Sequence, residues 1–297
     1  MFDIAPQVDC AGRVLKLDRT RVMGIVNVTP DSFSDGGAHD STDAAIAHAL
    51  NLVEEGADIL DIGGESTHPG ADEVPVEEEL QRVIPVISAL HTRVQVPISI
   101  DTSKPEVMRA AVNAGAGIIN DVFALRREGA LDAAAESGVP VVLMHMLGEP
   151  RLMQADPRYD DVVGEVHRFL AERIFACEMA GIDKKRLIVD PGFGFGKTMA
   201  HNLELLARLQ RFTELGVPVL AGLSRKKTIG ELTGRELPVE RVHGSVAAHV
   251  IAAQNGARIV RVHDVAATVD ALKVCEAVAA LPAPRAERAA PAIDWPE

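Results

Sequence analysis

The sequence predicts a single (β/α)8 barrel, also called a TIM barrel, whose floor is closed by an N-terminal β-hairpin. Its 297 residues suit such a barrel, which typically takes about 250 residues. Short apolar runs recur along the chain, and each is followed by a segment with helical features. This alternation indicates βαβ units. Aromatic residues make up only 3% of the chain, so we expect an aliphatic core.

The apolar runs are continuous, as expected of parallel strands that helices cover. The eight predicted strands are residues 22–28, 59–63, 97–101, 117–120, 140–144, 187–190, 217–221 and 258–262. Amphipathic segments between them include residues 43–55, 77–90, 105–114, 161–180 and 242–255. A doubly wound open sheet is the architectural alternative, but it usually has fewer strands.

The two ends of the chain are predicted from turns and composition. Residues 8–10 and 13–17 flank Gly12 and predict the hairpin that closes the barrel floor. Residues 282–297 are rich in Ala, Pro and charged side chains, so we expect a disordered tail there. Residues 1–281 then form one domain.

Charge and cysteine content narrow the possible partners and the compartment. The formal net charge is −13, so the chain has no general electrostatic attraction to nucleic acid or anionic membranes. We see no signal-peptide pattern and no apolar run of the roughly 18 residues that a membrane span needs. The widely spaced Cys10, Cys177 and Cys275 favour free thiols in a reducing cytosol over a zinc site or disulfides. We expect a cytoplasmic protein.

Polar side chains follow nearly every predicted strand where the strand ends. They are Asn27; Glu65, Ser66, Thr67 and His68; Asp101; Asn120; His145; Asp190; Ser224, Arg225 and Lys226; and Arg261 and His263. In a barrel these ends meet at one rim, where barrel enzymes hold their active sites. A strand-end Asn or Asp can instead cap the next helix. Caps alone, however, do not require carboxylates, amides and cations to converge, so the pattern predicts a site.

Two groups of rim residues suggest what the site binds. Arg225, Lys226, Arg261 and His263 follow strands seven and eight, the sector where barrels often hold phosphate, and predict an anionic substrate. The alternative is a solvated basic face paired with Glu231 or Glu240.

A second group consists of Asp101, Asn120 and Asp190, whose donors and acceptors can read an aminated heterocycle. The alternative is a buried polar network that holds the barrel ends together. The glycine-rich residues 192–197 lack the spacing of a phosphate-binding loop, and we expect a tight turn that exposes Phe193 or Phe195.

Six segments of the chain, in order, resemble the signatures of the dihydropteroate synthases. They are MGIVNVTPDSFSDGG from Met23, ILDIGGEST from Ile59, SIDTSKP from Ser99, DPGFGFGK from Asp190, GLSRK from Gly222 and RVHDV from Arg261. The resemblance implies condensation of 6-hydroxymethyl-7,8-dihydropterin pyrophosphate with p-aminobenzoate, which gives 7,8-dihydropteroate and pyrophosphate. It also implies a homodimer and inhibition by sulfonamides.

The resemblance also implies a role for each matching residue. Asp101, Asn120, Asp190 and Lys226 would hold the pterin ring, and Asp101, Asp190 and Lys226 would carry catalysis. Pyrophosphate would contact Asn27, Thr67, His68, Arg261 and His263, and Asn27 would also bind Mg²⁺. Phe195 and Ser224 would contact p-aminobenzoate.

One position departs from the pattern of this family. His68 stands where these enzymes usually have arginine, which is always charged and can grip phosphate with two donors. Histidine is only partly charged near neutral pH, so we expect turnover to depend on protonation of His68. Two alternatives remain: a non-catalytic pterin-binding paralogue and a methyltetrahydrofolate:corrinoid methyltransferase. The second should not need the first-loop signature or the SRK block, and both are present.

Overall fold

The computed structural model describes residues 7–29, 38–66, 73–148, 153 and 157–281, which form a hairpin and an eight-stranded parallel barrel. The hairpin strands are β1 (Gln7–Cys10) and β2 (Arg13–Lys16). The barrel strands are β3 (Arg21–Asn27), β4 (Ile59–Gly63), β5 (Ile98–Asp101), β6 (Ile118–Asp121), β7 (Val141–Met144), β8 (Leu187–Asp190), β9 (Leu220–Ala221) and β10 (Ile259–Val262).

Closure of the barrel follows from the order of the strands. They pair as β8, β7, β6, β5, β4, β3, β10 and β9. The two ends of this order meet where the Val189 N–H donates to the Pro218 carbonyl oxygen at 3.0 Å. The predicted (β/α)8 barrel is confirmed. One predicted strand, residues 217–221, is shorter in the structure, because Pro218 has no N–H to donate to a ladder.

Helices pack around the outside of the barrel. They are α1 (Ala38–Glu54), α2 (Val76–His91), α3 (Pro105–Ala114), α4 (Ala130–Ser137), α5 (Val162–Met179), α6 (Met199–Ala207), α7 (Lys227–Thr233), α8 (Val242–Gln254) and α9 (Val265–Ala279). The bounds of α3 match the prediction, because Pro105 suits a first turn and Gly115, at φ 115°, ends the helix. Within the described residues, no helix combines the length and apolar content needed to cross a membrane.

The hairpin closes the floor of the barrel, as predicted. Its side chains join those near the starts of the barrel strands in one buried cluster: Val8, Cys10, Leu15, Leu17, Met23, Ile59, Ile118, Val142, Ile188, Leu220 and Ile259. A Cβ at Gly117 would lie 2.5 Å from the Cys10 carbonyl oxygen, so only glycine lets the hairpin approach this closely. The predicted tail, residues 282–297, lies outside the described residues.

Candidate active site

A buried charge network lies at the rim, where the barrel strands end. Arg261, on β10, donates from Nε to Asp61 Oδ2 at 2.5 Å and from Nη2 to Asp101 Oδ2 at 2.7 Å. Asn120, on β6, donates from Nδ2 to the same Asp61 oxygen at 3.1 Å. Asp61 is completely buried, and Asp101 and Asn120 are nearly so. Barrel closure therefore brings together two residues that the sequence placed in different groups, Asp101 and Arg261.

Sequence reasoning missed Asp61. It lies within the apolar run of β4, ILDIG, and not at a strand end, where the sequence pattern predicts site residues. A usable signal was present, because an aspartate is almost never fully buried without a partner. Its partners Asn120 and Arg261 lie 59 and 200 positions away along the chain. The identity of those partners follows only from the closed sheet.

Burial and pairing oppose each other within this network. Burial raises the pKa of Asp101 to about 7, although Arg261 acts in the opposite direction. Burial also disfavours the charge of Arg261, but Asp61 and Asp101 outweigh it, so the pKa of Arg261 lies above its usual range. Arg261 is therefore charged at any working pH, whereas Asp101 changes its charge near neutrality.

Two further groups of opposite charge, Asp190 and Lys226, lie at the rim after β8 and β9. Burial lowers the pKa of Lys226 to about 8, and the neighbouring Asp190 opposes this shift. Burial raises the pKa of Asp190, and Lys226 opposes that. Asp190 Oδ1 also accepts a hydrogen bond from the Gly192 N–H at 2.7 Å. Lys226 Nζ donates to the Phe193 carbonyl oxygen and lies 4.5 Å from the centre of the Phe195 ring.

The turn after β8 presents one aromatic side chain to the rim. Phe193 is buried in the main core, whereas Phe195 is only partly buried. The Phe195 ring packs on a small apolar cluster of Val122, Met144, Met146 and Met153. Of the two aromatic residues that the sequence left open, Phe195 is the one beside Lys226.

The sector after β9 and β10 is basic, but part of its charge is already paired. Arg225, at φ 56°, donates from Nε and Nη2 to Asp264 at 3.0 and 2.5 Å. Glu231, which the sequence offered as a partner for this cluster, pairs with Lys227 at 3.4 Å. Lys226, rather than Arg225, is the cation of this block whose charge acts on Asp190.

Ser224 and His263 lie together in the same sector. The Ser224 hydroxyl oxygen accepts from the His263 N–H at 3.1 Å and lies 2.9 Å from His263 Nδ1. The hydroxyl is buried. The predicted aminobenzoate contact and the predicted pyrophosphate contact are therefore neighbours.

The remaining predicted residues belong to the first and second loops. Asn27 ends β3, beside Gly63 of β4, and its side chain is partly exposed at the rim. Thr67 and His68 lie outside the described residues. No group of three His, Cys, Asp or Glu side chains in the described part of the chain could hold a metal ion. An Asn27 amide oxygen still fits Mg²⁺, which usually keeps waters and takes substrate phosphate oxygens.

A buried ion triad supports the start of the second loop and was also missed. Lys104 Nζ lies 2.8 Å from Glu65 Oε2 and 2.6 Å from Glu79 Oε2. The other Glu65 oxygen accepts from the Val74 N–H at 2.8 Å, so one carboxylate ties residue 74 to residue 65. Glu79 and Lys104 were not predicted, because neither stands at a strand end.

Comparison with known proteins agrees with this geometry. Residues 23–263 match the family model described as pterin binding enzyme. The dihydropteroate synthase of Escherichia coli K12 is 57% identical over 266 residues, which cover 90% of this chain and 94% of that protein.

Two solved structures of the Xanthomonas albilineans dihydropteroate synthase are similar over nearly the whole chain. One, with 4-aminobenzoic acid, has a TM-score of 0.90 and 71% identity, and covers 94% of this chain and 100% of that one. The other, in complex with 7,8-dihydropteroate, has a TM-score of 0.86 and 68% identity, and covers 93% and 100%. The chain therefore belongs to the pterin-binding enzymes, in the dihydropteroate synthase family.

Proposed function

We propose that the protein condenses 6-hydroxymethyl-7,8-dihydropterin pyrophosphate with p-aminobenzoate to give 7,8-dihydropteroate and pyrophosphate. The observation that carries the proposal is the buried rim network of Asp101, Asn120, Asp190, Lys226 and Arg261. It brings carboxylates and an amide that can hydrogen-bond to a heterocycle together with the cations Lys226 and Arg261. The similarity to dihydropteroate synthases over nine-tenths of the chain supports the same reaction.

The pterin ring would bind to Asp101, Asn120, Asp190 and Lys226. Carboxylates accept hydrogen bonds from ring N–H and amino groups, and the ammonium of Lys226 donates to a ring oxygen or nitrogen. All four side chains are held by the barrel strands or by the turns directly after them. A ligand that left these buried groups unpaired would bind poorly.

Asn27, Thr67, His68, Arg261 and His263 would serve the pyrophosphate. Because Asp61 and Asp101 already pair with Arg261, the substrate would compete with Asp101 for the guanidinium. Asn27 would hold Mg²⁺, whose chemistry when bound is to neutralise charge on the phosphate oxygens. Pyrophosphate leaves with concentrated negative charge, so cations at this rim lower the barrier to its departure.

Catalysis would depend on opposite charges on the two sides of the reacting carbon. As the bond to pyrophosphate breaks, the heterocycle delocalises positive charge, and Asp101 and Asp190 stabilise it. The amine of p-aminobenzoate then bonds to the same carbon and gives up its proton to the departing pyrophosphate or to water. We infer a loose displacement without a covalent enzyme intermediate, in which Asp101, Asp190 and Lys226 are the catalytic residues.

Phe195 and Ser224 would form the aminobenzoate site. Phe195 offers a ring face beside Lys226, and Ser224 offers a hydroxyl beside His263. Because sulfonamides mimic p-aminobenzoate, we propose that they compete for this site.

The decisive experiment measures pyrophosphate release with both substrates and Mg²⁺. Release that requires p-aminobenzoate, together with formation of 7,8-dihydropteroate, is the expected result. Asp190→Asn is the matched variant, and it should lower kcat/KM by roughly 10²-fold or more, because it removes charge that acts in the transition state. Pterin binding without pyrophosphate release at high enzyme concentration would instead show a non-catalytic pterin-binding protein.

We also propose that the protein is a cytosolic homodimer. Its described cysteines are free thiols, as a reducing compartment maintains. Exposed apolar side chains lie on the neighbouring elements α7, α8, α9 and residues 237–239: Leu232, Leu237, Val239, Ile251, Val274 and Val278. Exposed apolar patches mark protein interfaces.

The oligomeric state can be tested on this face. Val274→Glu with Val278→Glu should convert a dimer to a monomer in light scattering after gel filtration. Met179→Glu, at an exposed apolar position on α5, is the matched control and should leave the dimer intact. A dimer that persists in the double variant Val274→Glu with Val278→Glu would place the interface elsewhere.

A further inference from the structure

Lys197 is a buried lysine outside the proposed pterin, pyrophosphate and aminobenzoate sites. Its side chain lies under the turn between β8 and α6, with only 3% of the residue exposed. Nζ lies 2.9 Å from His145 Nδ1, 2.9 Å from the Gly192 carbonyl oxygen and 3.0 Å from the Phe195 carbonyl oxygen. An ammonium has three protons to donate, and these three contacts can take all of them, while the His145 carbonyl oxygen lies further away at 3.5 Å.

The three hydrogen bonds of Lys197 Nζ can form whether or not the amine carries its extra proton. Burial lowers the pKa of Lys197 well below its usual range, and burial with the neighbouring Lys197 lowers the pKa of His145 to about 2. A charged Lys197 donates to both carbonyl oxygens and to His145 Nδ1. A neutral amine donates to both carbonyl oxygens and accepts from His145 if Nδ1 carries the proton. Lys197 therefore donates to the Gly192 and Phe195 carbonyl oxygens in both its charged and its neutral form.

The turn that Lys197 holds has little regular hydrogen bonding of its own. Gly192, Gly194 and Gly196 have φ values of 71°, 79° and 63°, which L side chains rarely adopt. Within the turn, the Phe195 N–H donates to the Gly192 carbonyl oxygen at 3.1 Å. The carbonyl oxygens point at two lysines: those of Gly192 and Phe195 at Lys197, and that of Phe193 at Lys226.

The position of the Phe195 ring follows from this arrangement. Its backbone oxygen is bound by Lys197, its backbone nitrogen is bound to an oxygen that Lys197 also holds, and its ring lies over Lys226 Nζ. Asn202 supports the same turn from below by accepting from the Gly194 N–H at 2.7 Å. Removing the Lys197 head group would release both carbonyl oxygens that fix the backbone of Phe195.

We propose that Lys197 is a positioning residue for p-aminobenzoate. It acts through the Gly192 and Phe195 carbonyl oxygens and holds the Phe195 ring against the second substrate. The inference rests on the proposed function, in which Phe195 contacts p-aminobenzoate. Pterin contacts come from the strand ends and from Lys226, so loss of Lys197 should affect one substrate more than the other.

The test separates the Michaelis constants of the two substrates. Lys197→Met keeps the length and apolar stem but removes the head group. It should raise KM for p-aminobenzoate roughly tenfold, because small displacements of a binding surface cost this much or more. KM for the pterin pyrophosphate should stay within about twofold of the wild type. Lys273→Met, at an exposed position on α9, is the matched control and should change neither constant.

A double variant tests whether Lys197 acts through Phe195. Phe195→Ala should raise KM for p-aminobenzoate by itself, and Lys197→Met with Phe195→Ala should be no worse than the more affected single variant. Additive effects would contradict the proposed route. A merely structural lysine would lower the melting temperature and kcat, through loss of folded enzyme, and leave both Michaelis constants unchanged. That result would also overturn the inference.

Lys197→Gln covers the case in which the methionine variant does not fold. Its amide can still donate to one of the carbonyl oxygens, so it should fold and raise KM for p-aminobenzoate less than methionine does. An unchanged KM in this variant would overturn the inference. Wild-type turnover is measured first: absence of turnover would contradict the proposed function, whereas turnover without the KM split would contradict only the role of Lys197.

Discussion

Asp101 is buried at the rim and Lys226 is partly buried there, and both have pKa values near the working range. Burial raises that of Asp101 to about 7 and lowers that of Lys226 to about 8. Asp101 is ionised above its pKa, and Lys226 is charged below its own. Both charges coexist most fully between the two values, and the proposed reaction uses both.

We predict that kcat/KM is bell-shaped in pH, with its maximum between about pH 7 and 8. It should fall on the acid side as Asp101 gains a proton, and on the alkaline side as Lys226 loses one. The two limbs describe coupled groups, so each limb reports the network as well as its nearest residue. Steady-state rates with limiting pterin pyrophosphate provide the measurement.

Lys226→Arg is the control for the alkaline limb. Arginine stays charged across this range, so the limb near pH 8 should disappear even if the rate is lower. An alkaline limb that persists unchanged would assign it to another group.

Site residues that end a strand can be predicted from the sequence, whereas a residue inside a strand cannot. Asn120 and Asp190 were predicted as site residues because they end apolar strands, and the structure places both at the rim. Asp61 was not, because it lies inside the apolar run of β4, and its partner Arg261 is on β10, which lies beside β3 only once the barrel closes. Strand ends can be read locally, whereas a pairing across the closed barrel cannot. The roles of Thr67 and His68 stay predictions.

The turn after β8 links backbone geometry to the proposed contact of Phe195 with p-aminobenzoate. Its sequence predicts a tight turn from glycine content, and the structure shows why glycine is needed. A Cβ at Gly192 would lie 1.8 Å from the His145 carbonyl oxygen, and one at Gly196 would lie 2.7 Å from Leu147 Cβ. The turn therefore packs directly on the residues after β7, and that close packing holds Phe195 beside Lys226.

We predict that Gly192→Ala costs more stability than Gly138→Ala. Both glycines have φ 71°, but an added Cβ at Gly138 meets nothing within 4 Å. Gly138→Ala should cost about 1–2 kcal/mol for the left-handed backbone alone. Gly192→Ala should cost about 1–3 kcal/mol more, because the clash forces the backbone to move. Urea unfolding of both variants measures the difference, and equal losses would show that the turn accommodates the methyl group.

The charged groups of the candidate active site and the aliphatic floor cluster lie at opposite ends of the barrel. The rim carries the ionised network, whereas the floor is an aliphatic cluster shared by the hairpin and the strand starts. Leu17, which follows the hairpin, is completely buried in that cluster, while Val14 in β2 is 56% exposed. Changes at the floor should therefore alter stability without altering the affinity for either substrate.

We predict that Leu17→Ala lowers the free energy of unfolding by about 2–5 kcal/mol through loss of apolar contact and the cavity left behind. Val14→Ala, the control, should change it by at most about 0.5 kcal/mol. In both variants KM for each substrate should match the wild type at a temperature where the protein is folded. A higher KM in Leu17→Ala would show that the floor and the rim are coupled.

The close approach of the hairpin to Gly117 also determines where substrates can enter the site and products can leave it. Because the Cys10 backbone lies against that glycine and the cluster above it is packed with aliphatic side chains, the barrel is not open from end to end. Both substrates enter, and both products leave, through one mouth. Departing pyrophosphate and arriving p-aminobenzoate therefore share a passage, and the order in which they use it becomes part of the catalytic cycle.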